Sequence, residues 1–278
     1  NESMIPALDY LFNTLAAGGI TDLVIGMPHR GRLNLLCGLL GYPARALFHK
    51  IKGNCEFPRE LEAGGSGDVI SHIGISTEIA YPEDKKITVS LLTNPSHLEA
   101  VNAVANGKTR AKQAQGKNAA TLLIHGDAAF CGQGCVTETI GLSNLPFYTT
   151  NGTVHLIVNN QLGFTTPPEH YKSTRYASDV GKMVNTPIFT VNAEKIDDVV
   201  RVMKIAAEYK LKFKKDVIVE LLGYRRHGHN ELDEPAFTQP KMYNVIRKRE
   251  TFPTIMTKDL ISKNIFNADS AKAVRTNR

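Results

Sequence analysis

The sequence predicts an α/β fold: a doubly wound, mainly parallel sheet with helices on both faces. Short apolar runs alternate with stretches of helical periodicity along the 278 residues, which is the pattern of a parallel sheet with crossover helices. The predicted strands are almost continuously apolar, as expected for strands buried on both faces. No apolar run approaches the roughly 18–20 residues that a membrane span needs. A hydrophobic fraction of 42% and a charged fraction of 22% exclude a disordered, collagen-like or coiled-coil chain.

The elements follow from periodicity and from turn residues. The first is a helix, because Ile5, Leu8, Phe12 and Leu15 fall on one helical face. Strands are predicted, in order, at residues 22–25, 87–92, 119–125, 153–158, 188–191 and 216–222. Helices are predicted at residues 33–40, 44–51, 97–113, 133–142, 195–213 and 240–249, and loops at residues 53–67 and 163–174. We assign residues 1–266 to one domain and residues 267–278 to a polar tail or a truncated linker.

Charge and cysteine content argue against several classes of protein. The formal net charge is +6, but the densest basic stretches, residues 210–215 and 247–249, are typical of solvated helix faces, so we expect no nucleic-acid partner. Four cysteines in this length do not form a disulfide scaffold. Cys131 and Cys135 are interpreted as packing residues in a reducing compartment. Residues 1–11 carry no export or transit pattern.

Polar or glycine-rich blocks follow four predicted strands, at residues 26–32, 126–130, 159–163 and 224–230. Ligands of open α/β sheets bind beyond the carboxyl ends of the strands, so these blocks predict one site for an anionic ligand. Asp127 and Asn160 carry the hard oxygen ligands that Mg²⁺ prefers, and Arg30 could pair with a diphosphate. The alternatives are that Asp127 only caps a helix and that Arg30 is a surface residue.

The same blocks carry a resemblance to a known family. Gly126-Asp127, followed later in the chain by Asn159-Asn160, resembles the fingerprint of thiamine-diphosphate enzymes. Longer blocks resemble the 2-oxoglutarate dehydrogenase branch of those enzymes: GMPHRGRLN (26–34), NPSHLEA (94–100), HGDAAFCGQG (125–134), VNNQLGFTT (158–166), YRRHGHNELDEP (224–235) and FTQPKMY (237–243). Details at residues 67–72, 143–146, 154–163 and 178–184 resemble the 2-oxoadipate dehydrogenases within that branch.

The resemblance implies roles for particular residues. Asp127, Asn160 and the Leu162 carbonyl would bind Mg²⁺, and Arg30, Ala128 and His229 would lie on the thiamine diphosphate. His29 and His72 would face the substrate, with Ser76 a weaker candidate, and His229 would also reach the catalytic centre. For each histidine the alternative is a hydrogen-bonded core residue without a ligand.

The resemblance also implies an activity and partners. The expected reaction is oxidative decarboxylation of a 2-oxo dicarboxylic acid, 2-oxoglutarate or 2-oxoadipate, with acyl transfer to a lipoyl group on the acyltransferase component. The expected partners include dihydrolipoyl dehydrogenase and a second copy of the full-length chain, in the mitochondrial matrix. We expect the pyrimidine-binding domain that activates the cofactor to lie outside these 278 residues, and therefore expect the isolated chain to be inactive.

Two other functions stay open at this point. The first is a truncated, non-catalytic paralogue that binds the cofactor or a partner subunit. The second, a nucleotide-binding or phosphatase domain of Rossmann type, has little support because no Gly-x-Gly-x-x-Gly follows a strand and no Walker motif occurs.

Overall fold

The computed structural model describes residues 2–54 and 69–276. Cys55, most of the predicted loop at residues 53–67 and the start of the 67–72 block lie outside these ranges. Within them the strands are β1 (Asp22–Gly26), β2 (Ile75–Tyr81), β3 (Lys85–Leu91), β4 (Ala119–Gly126), β5 (Thr153–Asn159), β6 (Ile188–Asn192) and β7 (Val217–Leu222). They form one seven-stranded sheet in the order β2-β3-β1-β4-β5-β7-β6. All neighbouring pairs are parallel except β2 with β3.

The helices connect these strands and extend beyond them. They are α1 (Met4–Ala17), α2 (Arg32–Gly38), α3 (Ala44–Ile51), α4 (Val101–Ala114), α5 (Asp127–Gly132), α6 (Gly134–Leu142), α7 (Pro168–Tyr171), α8 (Ile196–Phe213), α9 (Pro240–Lys248), α10 (Phe252–Ser262) and α11 (Ala268–Thr276). Short 3-10 helices lie at Ile70–His72, Ala177–Val184 and Pro235–Phe237. In the described part of the chain, no helix is both long and apolar enough to cross a bilayer.

Helices cover both faces of the sheet. Alternate residues of each strand point to opposite faces, so Leu23 of β1 packs in the larger core, which also contains buried residues of α1 and α8. Val24, its neighbour in sequence, packs with Ala105 of α4 on the opposite face. Further along that face, Ile157 of β5 packs with Phe130 of α5. The predicted α/β fold, a doubly wound and mainly parallel sheet, is therefore confirmed.

The order of the strands places a crevice at the middle of the sheet. β1 lies between β3 and β4. From β1 the chain continues to the β2–β3 side, and it then returns through α4 to β4. Such a divergence of connections opens a gap at the carboxyl ends of the two central strands, where α/β proteins bind ligands. We therefore expect a ligand site among the residues that follow β1, β4 and β5.

The chain divides into two compact units, residues 3–223 and residues 224–278 together with the first two residues. The first unit contains the sheet, and the second contains α9, α10 and α11. Helix α11 lies at Ala268–Thr276, within the predicted polar tail or truncated linker, and the assignment of residues 267–278 to such a segment stays a prediction. The assignment of residues 1–266 to one domain stays a prediction.

Several local predictions are also corrected. β2 and α10 have no predicted counterpart, and the predicted loop at residues 163–174 contains the short helix α7. The helix predicted from residue 97 begins at Val101. Lys210, interpreted as part of a solvated helix face, is buried on α8, and burial together with the nearby Lys214 charge lowers its pKa to about 8.

Candidate active site

Asp127 is the first residue of α5, directly after β4, and its side chain is only 2% exposed. The backbone N–H groups of Asp127, Ala128 and Asn160 lie close enough to the carboxylate to lower its pKa. The carboxylate also accepts a hydrogen bond from the hydroxyl of Tyr171 on α7. Burial raises the pKa of Asp127 despite these four donors. The backbone contact from Asn160 shows that the two halves of the predicted Asp–Asn pair meet at neighbouring strand ends.

The turn that carries Asn160 is held by its own side chains. Asn159 Oδ1 accepts the Gln161 N–H at 2.8 Å, and Asn160 Oδ1 accepts the Leu162 N–H at 3.0 Å. Gln161 has a φ of +61°, a conformation that non-glycine residues adopt only when the surroundings impose it. Two bonds to the end of β7 supply that constraint: Gln161 Nε2 donates to the Gly223 carbonyl at 2.7 Å, and the Gly223 N–H donates to the Asn159 carbonyl at 2.8 Å.

Ala128 and Gly163 approach each other at this turn. A Cβ placed on Gly163 would lie 2.9 Å from the Ala128 Cβ and 3.3 Å from Tyr171 Cδ1. The position therefore requires glycine, since a Cβ contact below 3.0 Å cannot be accommodated without a shift of the backbone. Leu162 is buried beside it. The structure thus brings together all four residues expected on the cofactor from this part of the chain: Asp127, Ala128, Asn160 and Leu162.

The donor set suits a magnesium ion with few protein ligands. Asp127 forms no ion pair with any Lys or Arg of the described ranges, and neither does the fully buried Glu220 on β7. Two buried carboxylates with only neutral donors favour binding of a cation. No group of three or more His, Cys, Asp and Glu side chains converges within the described residues. One carboxylate, one amide and one carbonyl match Mg²⁺, which takes its remaining ligands from phosphate and water.

A second cluster contains His29, which follows β1, and His72, which ends a 3-10 helix. His72 is buried, and its Nε2 lies 3.3 Å from Ser96 Oγ. The His29 ring has a buried Nδ1 with no hydrogen-bond partner in the part of the chain described. Burial lowers the pKa of His29, and the charges of Arg30, His72 and Arg32 lower it further. His72 is therefore close enough for its charge to lower the pKa of His29.

Arg32 brings together the loops that carry these histidines, and sequence reasoning gave it no role. It is completely buried, and its guanidinium donates to the carbonyls of Met27 at 2.7 Å, Ile73 at 2.9 Å and Leu92 at 2.6 Å. Burial lowers its pKa to about 10. Since no described carboxylate pairs with it, Arg32 adds positive potential beside His29.

The other predicted site residues take different positions. Arg30 is exposed. Ser76 lies on the exposed edge strand β2, and its Oγ is 3.0 Å from Ser90 Oγ on β3. His229 belongs to the second compact unit, where its backbone N–H donates to Asp233 Oδ2 at 2.7 Å. The roles of these three residues stay predictions.

A buried polar chain beneath α5 also escaped the sequence analysis. Glu99 Oε2 lies 2.5 Å from His125 Nδ1, His125 Nε2 lies 3.1 Å from His155 Nδ1, and His155 Nε2 lies 3.3 Å from Asp216 Oδ2. The Phe130 ring packs edge-on against His125 with centroids 4.7 Å apart. His125 directly precedes Gly126-Asp127, and Phe130 lies on α5. This row of hydrogen-bonded side chains therefore packs against the segment that carries Asp127.

Comparison with known proteins identifies the family of this chain. The dehydrogenase E1 component family matches residues 12–277, so the chain belongs to that family. It is 50% identical over 273 residues to a probable 2-oxoadipate dehydrogenase complex component E1 homolog of Dictyostelium discoideum, covering 96% of this chain and 30% of that protein. It is 46% identical over 289 residues to the human 2-oxoadipate dehydrogenase complex component E1, covering 99% of this chain and 31% of that protein.

A protein named for another substrate is also similar. The 2-oxoglutarate dehydrogenase-like, mitochondrial protein of Pongo abelii is 50% identical over 256 residues, which cover 89% of this chain and 25% of that protein. The chain thus spans between a quarter and a third of the length of the curated relatives it matches. It is an E1 dehydrogenase domain homologous to 2-oxoadipate dehydrogenase E1 components.

Proposed function

We propose that this chain is the diphosphate- and magnesium-binding domain of a 2-oxo acid dehydrogenase that acts on 2-oxoadipate or 2-oxoglutarate. The observation that carries the proposal is the meeting of the Asp127 carboxylate with the Asn160 turn, without a basic partner among the described residues. The reaction is oxidative decarboxylation with transfer of the acyl group to a lipoyl group of the acyltransferase component.

In this proposal Asp127, the Asn160 side chain and the Leu162 carbonyl hold Mg²⁺, and the ion neutralises the diphosphate of the cofactor. Thiamine diphosphate supplies the carbon nucleophile and the electron sink for decarboxylation when it is bound. Ala128 would contact the cofactor and Arg30 would bind its diphosphate, while the role of His229, which lies in the other compact unit, stays a prediction. The buried position of Asp127 excludes water from this side of the ion and strengthens its electrostatic interactions.

His29 and His72 bind the anionic substrate, and Ser76 is a weaker candidate for the same role. The Arg32 side chain is completely buried, and both of its terminal nitrogens donate to backbone carbonyls, so we assign it no direct contact with the substrate. Its charge nevertheless favours a carboxylate beside His29. The same potential stabilises negative charge that develops on a keto oxygen during the reaction.

Substrate choice is the finest level of this proposal. 2-Oxoadipate and 2-oxoglutarate differ by one methylene, and a pocket discriminates such a pair by only about 1–3 kcal/mol. We expect the intact enzyme to accept both acids, with 2-oxoadipate favoured because the 2-oxoadipate relatives match more of the chain. The measurement is kcat/KM for both acids in the assembled complex. A preference for 2-oxoglutarate above about a hundredfold, near the limit for one methylene, would exclude the 2-oxoadipate assignment.

The partners follow from the same reasoning. Several relatives are named as components of a complex, and one name places its protein in mitochondria. We therefore propose a homodimer of the full-length protein that works with a lipoyl-bearing acyltransferase and dihydrolipoyl dehydrogenase in the mitochondrial matrix.

The direct test is Asp127→Ala in the intact protein. Asp127 is the only charged ligand in the proposed magnesium set, so the variant is expected to lose Mg²⁺-dependent thiamine diphosphate binding in calorimetry. Asp198→Ala, on the exposed face of α8, is the matched control and is expected to bind like the unmodified protein. Unchanged cofactor affinity in Asp127→Ala would reject the site. Cofactor binding without turnover by the intact protein would instead favour a non-catalytic paralogue.

A further inference from the structure

Glu220 is a charged residue in the middle of an otherwise apolar strand that is paired on both sides. It lies on β7 in the segment VIVELL, and its side chain has no exposed surface. Both carboxylate oxygens are engaged. Oε1 accepts from Asn159 Nδ2 at 2.6 Å, and Oε2 accepts from the Ser178 N–H at 3.2 Å and from the Ser178 hydroxyl. All of these donors are neutral, so the charge is hydrogen-bonded but not paired.

We infer that Glu220 is a positioning residue that sets the shape of the Asn159–Leu162 turn, and through it the affinity and selectivity of the proposed magnesium site. The inference rests on the proposed function, because the ion itself belongs to that proposal. Glu220 is not itself a proposed ligand. In this inference it controls the positions of Asn160 and Leu162, the two ligands that the turn supplies.

The mechanical link runs through the Asn159 amide. Glu220 fixes its Nδ2, while Asn159 Oδ1 accepts the Gln161 N–H at 2.8 Å. Holding both ends of the amide keeps Gln161 in its left-handed conformation. The residues on either side of Gln161 are Asn160 and Leu162, the proposed ligands. A small rotation of the Asn159 amide would therefore move both of them.

The chemistry of the contact requires a carboxylate. A glutamine has one acceptor and one donor group where Glu220 has two acceptors. If its oxygen faces Asn159, the buried Ser178 N–H loses its acceptor. If its oxygen faces Ser178, two amide N–H groups oppose each other and the Asn159 amide must turn. Either arrangement leaves a buried polar group unpaired, which is costly.

The charge of Glu220 reaches the candidate site as well. Glu220 lies close enough to Tyr171 to interact with it electrostatically. Since the Tyr171 hydroxyl donates to Asp127, Glu220 contributes to the negative potential around that carboxylate. A divalent cation at Asp127 would relieve this potential.

The experiment measures Mg²⁺ and Ca²⁺ affinity by calorimetry in the intact protein with saturating thiamine diphosphate. The variants are Glu220→Gln, Glu220→Asp and the matched control Ser178→Ala, which removes one donor to Oε2 and leaves the Asn159 contact. Substitution of residues that orient metal ligands typically weakens affinity 10–100-fold. We expect Glu220→Gln to lose Mg²⁺ affinity by that factor and Ser178→Ala by less than about threefold.

The Ca²⁺ affinity distinguishes a positioning role of Glu220 from a general destabilisation of the protein. Mg²⁺ requires near-ideal octahedral geometry, whereas Ca²⁺ tolerates longer and irregular ligand distances. A relaxed turn should therefore reduce Ca²⁺ affinity by only about threefold in Glu220→Gln. Glu220→Asp keeps both acceptors but withdraws them by one methylene, so we expect a smaller shift of the Mg²⁺/Ca²⁺ ratio in the same direction. The melting temperature of each variant in EDTA shows whether it folds. If Glu220→Gln does not fold, the Mg²⁺ and Ca²⁺ affinities of Glu220→Asp decide the test.

The outcomes can be told apart. Unchanged Mg²⁺ affinity in Glu220→Gln, or equal losses for the two ions, would overturn the inference while the unmodified protein still binds its cofactor. Equal losses in Ser178→Ala and Glu220→Gln would also overturn it. Absence of Mg²⁺-dependent thiamine diphosphate binding in the unmodified protein would instead remove the proposed function.

Discussion

At the scale of single residues, His29 gives the sharpest prediction about substrate binding. At a pH low enough to charge the ring, replacing His29 with Gln removes a charged hydrogen-bond donor, which is worth about 1.5–3 kcal/mol. We expect KM for the 2-oxo acid to rise roughly 10–100-fold while cofactor affinity stays unchanged. His49→Gln, on an exposed position of α3, is the control and is expected to leave KM unaltered.

The pH dependence of the same variant has a defined sign. Burial and the neighbouring cations lower the pKa of His29, so the ring gains its charge only below the ordinary histidine value of about 6.5. The charged ring binds a carboxylate better, and KM of the unmodified enzyme is expected to fall as pH decreases through that range. His29→Gln should not show this change. A KM that has the same pH profile in both proteins would contradict the assignment of His29 to the substrate.

The residues that sequence reasoning found, and those it missed, differ in the kind of signal they carry. Asp127 and Asn160 stand at strand ends in a spaced pair, a local pattern that a single chain reveals. Arg32 is completely buried and serves backbone carbonyls, although arginine is seldom fully buried. Glu220 did carry a signal, because a lone carboxylate in an apolar strand requires a partner. Its partner, Asn159, becomes evident only when β5 and β7 are adjacent.

At the scale of elements, the entry into β5 depends on Gly152. It has a φ of +86°, and a Cβ there would lie 2.4 Å from the Lys215 carbonyl oxygen just before β7. Gly152→Ala is therefore expected to destabilise the protein by about 3 kcal/mol or more, since both a left-handed conformation and a backbone clash oppose it. The measurement is the free energy of unfolding in denaturant.

A second glycine provides the control for that experiment. Gly116 has a similar φ of +81° but no atom within 4 Å of the added Cβ. Gly116→Ala should cost only the conformational strain of about 1–2 kcal/mol. Equal destabilisation by the two substitutions would mean that the Lys215 carbonyl imposes no constraint on the start of β5.

Weak burial explains why the sequence failed to predict β2. β2 has alternating partly buried and exposed residues, so its apolar content is low, although Ile75, Thr77, Ile79 and Tyr81 do recur with the period of a strand. It pairs antiparallel to β3 after a turn in which Glu83 and Asp84 both have positive φ. The central strands were predicted because burial on both faces makes them continuously apolar.

At the scale of the whole molecule, apolar surface near α6 bears on assembly. Phe147 is 86% exposed and Tyr148 is 61% exposed, and Leu142 and Leu145 nearby are also exposed. Contiguous apolar surface on a protein generally marks an interaction site. The proposed homodimer would bury such a surface. When the 278-residue chain is produced by itself, we therefore expect it to self-associate as its concentration increases.

The isolated chain can be tested for both catalytic turnover and self-association. The chain spans less than a third of its E1 relatives, so we expect no turnover of a 2-oxo acid by it alone. Sedimentation between about 1 and 100 μM should show self-association, reduced by the double variant Phe147→Ser, Tyr148→Ser. Val104→Ser, at another exposed apolar position, should associate like the unmodified chain. Robust turnover without an added partner would show that the described elements suffice for catalysis, and a monodisperse monomer at every concentration would remove the α6 region from the proposed dimer interface.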